Sequence, residues 1–122
     1  MEEEILLGRI NRAVEKSLGL SLTSDVRIYG RVEYLDNLTK AHPNSYLGIL
    51  EEISGVILKT PDYVCYNEDE NVFYFLETYW KNGALAGVEA KVIQEGKRKR
   101  WVFHSLRRIA VPWDRNYVRV RK

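Results

Sequence analysis

The chain's two imidazoles, His42 and His104, together with Lys91, Ser105 and Arg107, form a set able to move protons and hold a phosphate. Cleaving RNA without a metal requires a base for the 2′-hydroxyl, a cation or donor for the crowded phosphorus intermediate, and an acid for the leaving 5′-oxygen. His42 suits base or acid, because an imidazole changes charge near neutral pH. Lys91 and Arg107 could hold the phosphate, and Ser105 could donate a hydrogen bond to it. His104 is a second proton-transfer candidate, although strand alternation turns it toward the core unless a bulge re-aims the strand. Plainer roles compete for the same residues. His42 would also be favoured at a helix end by the dipole, His104 would also serve as a satisfied core histidine, and Glu89 is either a base or a cross-strand ion-pair partner.

The elements that must position these groups change character along the chain. A first helix is expected from about Glu3 to Leu18, where Leu6, Ile10, Ala13 or Val14 and Ser17 or Leu18 recur at three- and four-residue spacing and Gly19 is a natural stop. A short strand follows over Val26–Tyr29, ended by Gly30. Next comes a short helix from about Val32 to Ala41 that buries Leu35 and Leu38. His42-Pro43 closes it, because the residue before a proline is driven out of the helical region. A longer helix is expected from about Asn44 to Leu58, with Gly48 and Gly55 allowing close packing, and Thr60-Pro61-Asp62 ends it.

From Tyr63 the signal has period two and is rich in β-formers: Tyr63–Tyr66, Val72–Trp80, Leu85–Ile93 and Arg100–Ile109. Asn67-Glu68-Asp69-Glu70, Lys81-Asn82-Gly83 and Glu95-Gly96-Lys97 are turn chemistry. The expected architecture is therefore α+β: N-terminal helices packed on one face of a four-stranded antiparallel meander. Residues 112–122 supply either a fifth strand through Tyr117, Val118 and Val120 or a basic arm. Alternation places Ala86, Val88, Ala90 and Val92 in an apolar row, with Glu89 and Lys91 on the opposite face. On the next strand Val102 and Leu106 face the core, leaving Trp101, Phe103, Ser105 and Arg107 on the face that holds Lys91. Rings beside cations suit a single-stranded nucleic acid, with rings taking bases and cations taking phosphates. Alternatively, Trp101 and Phe103 simply cover core.

Charge is divided along the chain. Residues 1–90 carry 8 Lys/Arg against 15 Asp/Glu, whereas residues 91–122 carry 11 against 2. The cationic end, with Arg107 and Arg108 in it, suits phosphate contacts or serves as a solvated basic edge that resists aggregation. A length of 122 residues fits one domain, with 1–20 as its N-terminal helix, 26–109 as its core and 112–122 as a basic end. No apolar run approaches a membrane span. The acidic N-terminus lacks signal-peptide character, so cytoplasmic residence is expected. Cys65 is alone and no Cys/His cluster has zinc spacing, so neither disulfide, metal nor cofactor is expected.

The order of short helix ending in His-Pro, long helix, Pro-Asp and antiparallel strands resembles the phage branch of the superfamily that groups barnase, EndoU ribonucleases, colicin tRNases and RelE toxins. The residues that carry it are Asn37-Leu38-Thr39-Lys40-Ala41-His42-Pro43, Tyr46, Leu50, Ile53, Pro61-Asp62, Phe73–Phe75, Lys91 and Phe103-His104-Ser105. The resemblance implies a metal-independent endoribonuclease fold, often phage- or prophage-encoded, acting as a toxin or host-takeover factor. It also implies His42, Lys91 and Ser105 as catalytic residues. Asn37 stands where the family commonly has a first histidine and departs from the pattern; it joins Trp101, Phe103, His104, Arg107 and Arg108 as a candidate RNA contact. RNA is the expected partner, with an antitoxin or host protein as a further one. That departure favours an alternative, a non-catalytic interaction protein that keeps the nuclease fold and occupies a host or defence protein's nucleic-acid site. A third reading is an RNA-binding module built on Trp101, Phe103 and Arg107. Exposed edge strands leave dimerisation open.

Overall fold

The computed structural model describes residues 3–19, 26–41, 53, 58–59, 61–95, 100–110 and 116–120. Its elements are β1 (Glu4–Arg9), α1 (Arg12–Leu18), β2 (Arg27–Arg31), α2 (Val32–Ala41), β3 (Tyr63–Asn67), β4 (Val72–Lys81), β5 (Ala84–Glu95), β6 (Arg100–Ala110) and β7 (Val118–Arg119). The strands form one seven-stranded sheet in the order β1-β2-β6-β5-β4-β3-β7. The sheet is mixed: β2 runs parallel to β6, and every other pairing is antiparallel.

This overturns the expected four- or five-stranded meander covered by N-terminal helices. The strands β3 to β6 do follow one another antiparallel, but they form the middle of a larger sheet. The N-terminus supplies a strand and a short helix in place of one long helix. Leu6, Ile10 and Val14 fit a helical period, yet Leu6 is exposed whereas Ile10 and Val14 are buried. Two local signals oppose a continuous helix. Gly8 weakens a helix interior by ~1 kcal/mol relative to alanine. Asn11 is a good N-cap, and its side-chain oxygen accepts from the Val14 amide at 2.9 Å. Residues 4–9 instead pair with β2, with an irregularity between Leu6 and Gly8 that turns Leu7 into the core.

Asn11 also donates from its side-chain amide to the Lys59 carbonyl at 2.6 Å, tying the start of α1 to residue 59. Asn11→Ala is therefore expected to cost about 1 kcal/mol or somewhat more, read as a lower denaturation midpoint. An unchanged midpoint would contradict a helix that starts at Arg12. Gly19 closes α1 in the left-handed conformation, with φ 70°. Gly30 lies inside β2 and does not end it; a Cβ there would approach a Leu7 methyl carbon to 2.7 Å, so the missing side chain lets β1 and α2 close over β2.

The core lies on one face of the sheet. Val64, Phe73, Phe75, Ala90, Val92 and Phe103 point into it, joined by Val14 of α1, Leu35 of α2, Ile53 and Leu58. Tyr66 stacks on Phe73 with ring centroids 4.5 Å apart, and Trp101 meets Phe73 edge-on at 4.8 Å. The expected helix over 44–58 lies outside the described residues except at Ile53 and Leu58, and His42 lies outside them altogether. The opposite face is not bare, because Tyr74, Leu76 and Val102 are buried there as well. At the C-terminal end β7 pairs with β3, Val118 opposite Val64. Among the described residues, no helix is long and apolar enough to cross a membrane.

Candidate functional site

One irregularity in β6 decides which side chains can act together. Phe103 pairs with Val92 and Ser105 pairs with Lys91, so His104 is an extra residue between them. A bulge of this kind re-aims every side chain on one side of it. Before the bulge, Trp101 and Phe103 point into the core; after it, Ser105 and Arg107 point to the opposite face. The expected row of Trp101, Phe103, Ser105 and Arg107 beside Lys91 is thus split in two. Phe103 is 2% exposed and its ring lies 5.9 Å from that of Tyr34. His104, freed by the bulge, is exposed.

The bulge sits where β6 loses its neighbour. The parallel pairing with β2 covers Ile28–Trp101 and Tyr29–Val102, after which the chain turns at Arg31 into α2. Between α2 and the unaccompanied part of β6 lies a pocket of about 500 Å³. Arg31, Glu33, Tyr34 and Asn37 line one wall; Phe103, His104 and Ser105 line the other. Asn37 is a neighbour of both Glu33 and Tyr34 on α2 by four- and three-residue spacing, while Leu35 turns to the core. Phe103 and Ser105 point to opposite faces of the sheet, so the pocket follows the edge of β6 and does not cross one face.

Asn37, Phe103, His104 and Ser105 were nominated from sequence and meet here. Lys91 stands behind Ser105 on the neighbouring strand and is not part of the lining. Trp101 is half-buried against the core, and Arg108 is exposed on the core side of β6, opposite Val88. Arg107 lies 3.2 Å from Glu89, its register partner, which is 3% exposed. Glu89 is therefore an ion-pair partner. Sequence reasoning passed over Arg31, Glu33 and Tyr34. Only the pairing of α2's polar face with β6 brings them into play, and that contact is not local.

The lining combines an imidazole, a carboxylate, a guanidinium, two hydroxyls and an amide. The Arg31 guanidinium pairs with Glu95, which orients it; with five N–H donors it can still bind an anion. Glu33 lies in the first turn of α2, where the helix dipole favours a negative charge. Among the described residues no group of three or more His, Cys, Asp or Glu side chains is placed to hold a metal ion. A second pocket, of about 370 Å³, lies beside β1 and is lined by Leu6, Leu7, Gly8, Arg9, Asn11 and Lys59. Among the described residues it holds cations and apolar surface but no carboxylate or imidazole for proton transfer. No protein-family model, curated protein or solved structure matches the chain.

Burial raises the Tyr34 phenol above its ordinary value of 10.0. An unfolded chain ionises this phenol first. Its contribution to stability is therefore complete below 10.0 and is lost as the pH rises through the raised value. Denaturant titrations across that alkaline window are expected to show stability falling, and falling less in Tyr34→Phe. Equal slopes in the two proteins would place the phenol in solvent.

Proposed function

We propose that the protein is a metal-independent endoribonuclease, working in the cytoplasm without a cofactor and cleaving RNA at the α2–β6 pocket. The observation that supports this most is the meeting of Asn37, His104 and Ser105, drawn from distant parts of the chain, with Arg31 and Glu33 around one cavity. Its volume lies within the ~300–1,000 Å³ of ordinary ligand sites.

In this mechanism Glu33 takes the proton of a 2′-hydroxyl, and the freed oxygen attacks the neighbouring phosphorus. The bond from phosphorus to the 5′-oxygen breaks as protonated His104 gives its proton to that oxygen. The products are a 2′,3′-cyclic phosphate and a 5′-hydroxyl, and no water is consumed. Arg31, Ser105 and Asn37 donate to the non-bridging oxygens, where charge accumulates. Lys91, behind Ser105, adds positive potential. The test is incubation of the purified protein with RNA and with DNA of the same sequence in excess chelator. RNA fragments ending in cyclic phosphate, with DNA intact, are expected; intact RNA would refute the reading.

One observation favours a second reading. Arg31, Arg100 and Arg107 are each paired with one of the chain's own carboxylates, Glu95, Glu4 and Glu89. A surface whose cations are already engaged suits a non-catalytic protein that docks on a host or defence protein. Under that reading RNA survives incubation and a protein partner competes for the basic strands.

A further inference from the structure

The ring that sequence reasoning sought on β6 is present elsewhere on the sheet. Trp80, on β4, is 74% exposed, the most open of the large hydrophobic side chains described. Directly paired residues share a face, so the register names the neighbours of Trp80. Tyr74, Lys91 and Ser105 form one cross-strand row, Leu76, Glu89 and Arg107 the next, then Thr78, Gly87 and Ile109, and finally Trp80 with Leu85. Trp80 therefore lies on the face of Ser105, Lys91 and Arg107.

Trp80 stands near the tip of the β4–β5 hairpin. The two-residue turn, Asn82-Gly83, has φ of 52° and 76°, as a tight primed turn requires. The ladder of β3 with β4 ends at Leu76; Asp62 then accepts from the Thr78 amide and hydroxyl at 2.8 and 3.0 Å, and beyond Thr78 β4 makes no pairing on that side among the described residues. Leu85, the register partner of Trp80, is six residues along β5 from Lys91, about 20 Å at ~3.4 Å per residue. Exposed Arg107 stands between the two points.

We infer that Trp80 is a base-stacking subsite for a single-stranded RNA whose scissile phosphate occupies the α2–β6 pocket. The inference rests on the ribonuclease reading and extends it to substrate class: an unpaired strand several nucleotides long, running from the α2–β6 pocket past Arg107 to Trp80 on β4. An open indole takes any base on its face, and a neighbouring cation takes the backbone. Recognition at Trp80 is therefore tolerant of sequence and sensitive to length.

The experiment measures the affinity of 2′-O-methyl RNA, which cannot be cleaved, as a dinucleotide and as an octanucleotide, for wild type, Trp80→Ala and Trp80→Phe. Trp80→Ala should weaken octanucleotide binding about tenfold and leave the dinucleotide unchanged, while Trp80→Phe should retain most of the octanucleotide affinity. Equal octanucleotide affinity in wild type and Trp80→Ala would overturn the subsite. Self-association lost in Trp80→Ala with RNA affinity unchanged would also overturn it and assign the indole to a protein interface. Cleavage of an unmodified dinucleotide reports on the pocket alone, so the ribonuclease reading survives or fails separately from the subsite.

Discussion

His104→Ala is expected to lower RNA cleavage by roughly 10²–10⁴-fold while leaving the unfolding midpoint within the spread of surface substitutions, about ±0.5 kcal/mol. The contrast follows from the bulge. As the residue added between Phe103 and Ser105, His104 fills no core position and its imidazole is exposed. Removing it takes away the proton donor for the leaving oxygen and little packing. Single-turnover cleavage and chemical denaturation of the same preparation check both halves. A variant that cleaves at the wild-type rate would remove His104 from the mechanism; one that unfolds easily would show that the histidine holds the bulge together.

The second large effect is on stability. Phe103→Ala should destabilise the fold by about 3–5 kcal/mol, because the ring is almost fully buried and packs against Tyr34 and the core on the inner face. Were Phe103 an open stacking ring, the same change would weaken RNA binding and barely alter stability. Phe103→Leu keeps most of the apolar volume and is expected to recover much of the loss. Equilibrium denaturation of both variants decides. A loss below about 1 kcal/mol in Phe103→Ala would place the ring on the solvent side and undo the register assigned to β6.

The two histidine-bearing segments show what a sequence of this kind discloses. α2 is found over Val32–Ala41, where the leucine spacing and the proline placed it, and β3 to β6 occupy the runs marked by period two and by turn residues. These signals are local, and each element carries its own. β1 was hidden because Leu6, Ile10 and Val14 happen to fit a helical period, while the pairing that makes residues 4–9 a strand lies on β2. The parallel contact of β2 with β6 joins segments some seventy residues apart through only two register pairs and leaves no mark on either segment.

Within the site, legibility ended at a single residue. Phe103, His104 and Ser105 were all nominated, but alternation without a bulge put Phe103 outside and His104 inside, the reverse of what is found. One inserted residue exchanges the faces of everything before it relative to everything after it. Asn37 was noted as a departure from a histidine pattern and turns out to line the same pocket as His104, so an imidazole is present there although it comes from a strand. Nothing local separates an exposed strand aromatic such as Trp80 from a buried one; its face is set by the register of β4 with β5.

The most direct test of the α2–β6 pocket as the RNA site is residue-by-residue NMR shift mapping of the His104→Ala protein, in which cleavage is slowed, titrated with a 2′-O-methyl octanucleotide RNA that cannot be cleaved. The largest changes are expected at Asn37, Ser105 and Lys91 and at the Trp80 indole. Changes confined to the β1 pocket, at Leu6, Gly8, Arg9 and Asn11, or no changes at all, would contradict it.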